Sequence, residues 1–340
     1  MSNPVDIKIA HINKAENINN AINKESVFEI FGRCTPDALA PFYKFQQTWV
    51  NKAYTTFKDF DTYLILMYLK QKIYVDYSDR FHYMSADAFY SQDKISIDKI
   101  NLIQISKSLD IPKETIRRKI NFLQESEIIF RSGKSIYLNS KALEIVKPNH
   151  TLPMLSIFFE KMSNILSKEN WFGKSLNRES IEKFIKDHFT VCWEYFYRFQ
   201  IPYLTRHRKG FGDLESWNVW GSIAIVQTAA FSESLQKITR EELTSYEDYY
   251  LSMLKFKCER GINASSISDI SSIPRATVIR KLRTLEKKGF VRRNKKLEYS
   301  LGQVKNLKAF QINYLINQKN LSDFCTTLFN LMKNSKFKIN

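Results

Sequence analysis

The sequence predicts a mainly α chain. It is built as two duplicated helical units, each ending in a helix–turn–helix with a small β-hairpin, packed as an intramolecular pseudo-dimer. Three observations lead there. "IPKETIRRKINFLQESEIIFR" (111–131) returns 162 residues later as "IPRATVIRKLRTLEKKGFVRR" (273–293). "FYKFQ" (42–46) returns as "FYRFQ" (196–200) at an offset of 154, and "FKDFDTY" (57–63) aligns with "FGDLESW" (211–217) at the same offset. Apolar residues around these matches recur at helical spacing. Separate matches in the same order mark repeats of one unit.

A chain of 340 residues can bury two cores, and 44% hydrophobic with 26% charged residues is a globular composition. The formal net charge of +17 suits a polyanionic partner, nucleic acid before a membrane surface. AT-rich coding also raises lysine content, so the placement of the charges has to decide. Cys34, Cys192, Cys258 and Cys325 form no CxxC pair and read as free thiols in a reducing compartment. The first residues are polar, without an apolar signal core. The longest apolar run, "YLILMYL" (63–69), is far below the roughly 20 residues of a membrane span. A cytoplasmic, nucleoid-associated protein without membrane contact is the expectation.

In chain order, 1–30 reads as a polar N-terminal segment and 31–148 as the first helical plus winged unit. Residues 149–184 read as linker and connecting helix, 185–306 as the second unit, and 307–340 as C-terminal helices. In the first unit, apolar and aromatic residues fill 60–69. In the second, "SWNVWGSIAIVQTAAF" (216–231) is apolar almost all round, as in a helix buried in the body or in a subunit contact. "YEDYYLSMLKFK" (246–257) is a further amphipathic candidate. "KPNHTLP" (147–153) is a Pro-bounded linker before the helical "MLSIFFEKMSNIL" (154–166), and "LKAFQINYLINQKNLSDFCTTLFNLMKN" (307–334) is again helix-spaced.

The repeated segment resolves into short elements. "LIQISKSL" (102–109) is a helix ended by "DIP"; proline is tolerated where the next helix begins, beside the capping types Asp110 and Ser272. In that next helix Ile116, Ile120 and Leu123 face the core, leaving Lys113, Glu114, Arg117, Arg118 and Asn121 outward. "EIIFR" and "SIYLN" are strands around an "SGK" turn. The second copy buries Val278, Leu282 and Leu285 and exposes Arg275, Ala276, Ile279, Arg280 and Arg283. Gly289 caps that helix, and the strands of "KKGFVRR" and "LEYSL" flank an "NKK" turn.

Helix, turn, helix and hairpin together make the winged helix-turn-helix. The pattern Pro-x-x-Thr-(Ile/Val)-x-Arg-x-(Ile/Leu)-x-x-Leu stands complete in both copies and resembles the recognition helix and wing of bacterial MarR-type regulators. The resemblance covers about 40 residues per copy, and extra sequence separates the earlier long helix from each helix-turn-helix. It implies a second helix that enters the major groove. It also points to Thr115 and Thr277, beside Arg118 and Arg280, as contact positions. Lys113, Arg117 and Asn121 surround the first pair, and Arg275 and Arg283 the second. Arginine reads guanine with two hydrogen bonds or anchors on phosphate. Arg131 and Lys134 in one wing, and Arg293, Lys295 and Lys296 in the other, would reach flanking backbone or minor groove.

The expected partner is therefore double-stranded DNA, bound without cofactor, metal or catalysis. Further self-association is open, and so is the identity of any small-molecule effector. The leading expectation is a bacterial transcriptional regulator reading an asymmetric site. The alternatives are a plasmid- or phage-type replication initiator with two winged helices, or a nucleoprotein scaffold whose winged helices bind protein. "SGKS" (132–135) and "FGKS" (172–175) lack the first glycine of a phosphate-binding loop, where Ile128 and Lys168 stand. His188 and Cys192, four apart, fit a core position better than a metal site. "CWEYFYRFQIPYL" (192–204) fits core better than base stacking or the lining of a ligand pocket, and "RHRKG" (206–210) reads as a basic loop.

Overall fold

A computed structural model describes residues 21–33, 35–80, 83–97, 101–132, 135–139, 147–149, 151–171, 173–235, 252–253, 261–302 and 307–335. The expected helix at 246–257 lies outside these residues except at its centre. The polar segment up to residue 20, Cys34, Cys258 and Lys134 lie outside them too.

The described chain is mainly helical, with two small antiparallel sheets, as the sequence predicts. Three helices lead: α1 (Lys24–Arg33), α2 (Thr35–Phe57) and α3 (Phe60–Asp79). A short α4 (Ala86–Tyr90) and strand β1 (Lys94–Ile97) follow. The first helix-turn-helix is α5 (Leu102–Leu109) and α6 (Lys113–Glu125), and its wing is β2 (Ile129–Ser132) and β3 (Ser135–Asn139). The order then begins again. After α7 (Thr151–Lys168) come α8 (Arg178–Asp187), α9 (Phe189–Phe211) and α10 (Leu214–Leu235). The second helix-turn-helix is α11 (Ala264–Ser271) and α12 (Arg275–Lys287), with β4 (Val291–Arg293), β5 (Tyr299–Leu301) and the long α13 (Leu307–Asn334).

Local chemistry repeats with this order. Asn23 and Asn177 each accept the backbone N–H of the serine three residues on, opening α1 and α8. Asp59 and Asp213 do the same for Thr62 and Ser216, opening α3 and α10. Asn101 and Asn263 cap α5 and α11. These pairs stand 154 or 162 residues apart.

The long helices meet with matching reciprocity. Gln46 and Gln200, both buried, exchange amide hydrogen bonds at 2.7 and 2.6 Å. Phe42 meets Phe199 and Phe45 meets Phe196, each pair of ring centroids 5.8 Å apart. These are the residues of the two "FY-FQ" segments in crossed pairing, as at an isologous dimer contact. Around them α2 packs on α7, α9 on α13, α1 on α13 and α8 on α7.

Several expectations are corrected in detail. Residues 24–33 and 178–187 are helices that straddle the expected boundaries at 30 and 184, because their asparagine caps start them early. The expected linker at 147–153 is shorter, since α7 begins at Thr151 and takes Pro153 into its first turn. Asp110 and Ser272 do not cap α6 and α12. They end α5 and α11 in left-handed backbone, φ 54° and 60°, while Pro112 and Pro274 hold the N-cap place without a side-chain bond. "RHRKG" is the end of α9, not a loop. Within "CWEYFYRFQIPYL" most side chains are core, as expected.

Candidate nucleic-acid interface

Each helix-turn-helix is fixed from within. Ser106 and Ser268 donate their hydroxyls across the turn to the carbonyls of Ile111 and Ile273, at 2.7 and 2.6 Å. Ile105, Leu109, Ile111, Ile116, Ile120 and Leu123 are buried in the first helix-turn-helix. Ile267, Ile273, Val278, Leu282 and Leu285 are buried in the second. Each such side chain contributes about 1.5–3 kcal/mol. With the apolar stripe inward, the opposite stripe of α6 and α12 must face solvent.

The turn-helix units are also tied to the helical body. Inward-facing Lys119 and Lys281 reach the caps Asp59 and Asp213 at 2.8 and 2.6 Å. Burial opposes ionisation of both carboxyls, but the lysines and the capped turn outweigh it and hold them below the usual aspartate range. Each unit also reaches across to the other. Arg208 of α9 bridges Asp61 (2.9 Å) and the carbonyl of Asp110 (2.7 Å) in the first turn. Asn51 of α2 donates to the carbonyl of Ile270, and within the second half Asn218 of α10 supports the same turn by donating to the carbonyl of Ser271 at 3.1 Å.

Most of the residues expected at the surface are there, but Ile279 is half-buried. Lys113, Arg117, Arg118 and Asn121 are exposed on α6, with Thr115 half-buried. Arg275, Arg280 and Arg283 are exposed on α12, with Thr277 half-buried. Arg118, Arg280 and Arg283 have no ion pair among the described residues. Arg275 donates to Ser265 at 3.1 Å, which leans it toward α11. In the second wing Lys295 and Lys296 stand exposed on a turn that Asn294 holds by accepting from the N–H groups of Lys296 and Glu298. Arg293 is exposed and lies 3.5 Å from Glu286. Arg131 stands in β2 opposite Ile136. Arg292, which the sequence reading passed over, is exposed on β4 and donates to Ser300 at 2.8 Å. The "VRR" run held that signal.

The two faces differ. Helix α6 carries Lys113, Arg117, Arg118 and Lys119 against Glu114 and Glu125, and Glu114 is ion-paired with Arg117. Helix α12 carries Arg275, Arg280, Lys281, Arg283 and Lys287 against Glu286 alone. The first helix-turn-helix and wing expose Ile103 (55%), Phe122 (43%) and Phe130 (36%). The residues 162 positions later are Ser265, Thr284 and Arg292.

Among the described residues no group of three or more His, Cys, Asp and Glu could hold a metal ion. The His188 ring stacks on Phe184 with centroids 4.3 Å apart, and Cys192 and Cys325 are buried free thiols whose ionisation burial pushes up. No helix among the described residues is long and apolar enough to cross a membrane.

Residues 241–304 match the profile of a family described as "Sugar-specific transcriptional regulator TrmB". The match takes in the second helix-turn-helix and wing, less than a fifth of the chain. Over that stretch the chain is similar to transcriptional regulators that bind DNA through a winged helix. No curated protein and no solved structure matches it.

Proposed function

We propose that the chain is a sequence-specific double-stranded-DNA-binding regulator of transcription, reading an asymmetric site with two unlike recognition helices. The observation that carries this reading is the pair of exposed arginine-bearing helices, α6 and α12, at corresponding places in two similarly ordered halves. The similarity of residues 241–304 to a regulator family supports it. Sugar specificity belongs to that family's description, and no sugar is carried over to this chain.

The halves run from Asn23 to the end of α7 and from Asn177 to the end of α13, two copies of one unit packed as an internal pseudo-dimer. The recurring caps, the crossed Phe42–Phe199 and Phe45–Phe196 contacts and the Gln46–Gln200 exchange support that reading.

Thr115, Arg118, Thr277 and Arg280 sit where a recognition helix meets base edges. Lys113, Arg117, Asn121, Arg275 and Arg283 surround them, and Arg131, Lys134, Arg292, Arg293, Lys295 and Lys296 approach phosphates. Glu114 accepts from cytosine where Ala276 offers only an apolar contact, so corresponding positions differ in preference. Anisotropy titrations of labelled duplex DNA test the proposal. With about 6–10 phosphates neutralised, affinity falls roughly 10³–10⁵-fold between about 50 and 200 mM salt. A flat salt response removes the reading.

A further inference from the structure

Beside the Gln46–Gln200 contact, a groove of about 480 Å³ opens between α2, α7, α9, α10 and α13. Its walls are largely apolar, with the aromatic rings of Tyr43, Tyr203, Trp217 and Trp220 set among small and aliphatic residues. Its polar groups are chiefly amides, among them Gln46, Asn317 and Gln318, and the described lining includes no carboxylate. His207 stacks on Trp217 with centroids 4.7 Å apart. Burial, and then the Arg206 charge, hold its imidazole down to about 3, so it is neutral at physiological pH. Arg206 donates to Asn317 Oδ1 at 2.7 Å, and Asn317 Nδ2 stands 3.3 Å from His207 Nε2. Lys44, the cation in the lining, is solvent-exposed. Such walls favour an uncharged, aromatic, mostly apolar guest, because a buried charge would find no opposite charge.

The space exists in one half only because of small residues. Gly221, Ala224 and Thr228 line it from α10. The residues 154 positions earlier are Met67, Lys70 and Tyr74. Gly221 has a second constraint, since a Cβ there would stand 2.8 Å from Gln47 Oε1. In the first half Met67 and Lys70 are each only 1% exposed. The Lys70 ammonium lies 5.8–6.0 Å from the ring centroids of Tyr74, Tyr90 and Tyr197, and its Nζ has no hydrogen-bond partner among the described residues. Tyr197 corresponds to Tyr43 of the open groove, so lysine and tyrosine meet where alanine and tyrosine leave a gap.

We propose that the chain binds one uncharged aromatic molecule in the groove of its second half, and that Met67 and Lys70 fill the corresponding site of the first as a built-in occupant. The stoichiometry is then one ligand per polypeptide, although the recurring architecture offers two places. This goes beyond DNA recognition and does not depend on it.

Equilibrium dialysis of the full chain against 2-naphthol, a neutral fluorescent aromatic with one hydroxyl, tests it. The wild type takes up one equivalent, and excess glucose does not displace it. Ala224→Met, which places in the groove the bulk that Lys70 places in the first half, weakens binding at least tenfold, and Ala224→Lys does the same. Met67→Gly with Lys70→Ala raises uptake to two equivalents. Thermal melts establish that each variant is folded. Two equivalents on the wild type, no uptake, displacement by glucose, or unchanged binding by a folded Ala224→Met or Ala224→Lys chain overturns the proposal. A folded double variant that still takes up one equivalent overturns the built-in occupant.

Discussion

Replacing Lys70 with methionine, which has similar length and no charge, is expected to stabilise the chain at neutral pH and flatten its pH dependence. Burial lowers the Lys70 ammonium from its ordinary value to about 7. The tyrosine rings around it attract the cation, but centroid distances of 5.8–6.0 Å are at the outer limit of such contacts and offset only part of the cost. Because the folded-state value lies below the unfolded one, the unfolded chain binds the extra proton between the two. The folded state is therefore disfavoured at low pH and recovers as pH rises. At about 1.4 kcal/mol per pH unit, wild-type stability gains at most about 3 kcal/mol between about pH 7 and 9.5. Above about pH 10 the trend reverses, because burial holds Tyr63, Tyr74 and Tyr203 above the ordinary tyrosine range and the unfolded chain ionises first. Urea denaturation of both proteins across this window, with equal m-values, gives the difference directly. Parallel profiles, or a Lys70→Met chain less stable than wild type at neutral pH, would refute the reasoning.

Other outcomes follow from the same geometry. Arg118→Ala and Arg280→Ala each weaken cognate DNA binding by about 1–3 kcal/mol and relax specificity, whereas Lys295→Ala weakens all sequences alike. Wild-type behaviour of both arginine variants on cognate and random duplexes would misassign the recognition helices. Asp213→Asn removes the charge that holds Lys281 and costs about 1 kcal/mol at neutral pH, discounted because Asp213 is partly exposed. The carboxyl is held below its ordinary range when folded, so this contribution is present above about pH 4 and lost as pH falls further. The difference between variant and wild type in urea therefore shrinks in acid; a difference that grows there would contradict the ion pair.

Which face of each helix-turn-helix lies exposed was legible because that motif is set by local rules. Ile116, Ile120 and Leu123 fix which stripe of α6 turns inward, so the exposed arginines follow without knowledge of the rest. The same holds for Val278, Leu282 and Leu285 in α12. Helices α1 and α8 were missed, although "NKES" (23–26) and "NRES" (177–180) repeat at an offset of 154 and each asparagine caps its helix. The cap residues of the turn were misplaced because Asp110 and Ser272 serve equally well as left-handed helix ends, and only the backbone distinguishes the two uses. The ties from Arg208 to Asp110 and from Asn51 to Ile270 join residues 98 and 219 apart and leave no pattern in the chain. The groove was out of reach for a related reason. It depends on the small size of Gly221 and Ala224, seen only when α2, α7, α9, α10 and α13 are assembled.

The central claim is that one polypeptide reads two unlike half-sites. Hydroxyl-radical footprinting on duplexes selected from a random library tests it most directly. The prediction is an asymmetric site with two different half-sites protected, about 34–36 Å or one helical turn apart. A perfect palindrome, or protection confined to one half-site, would contradict it.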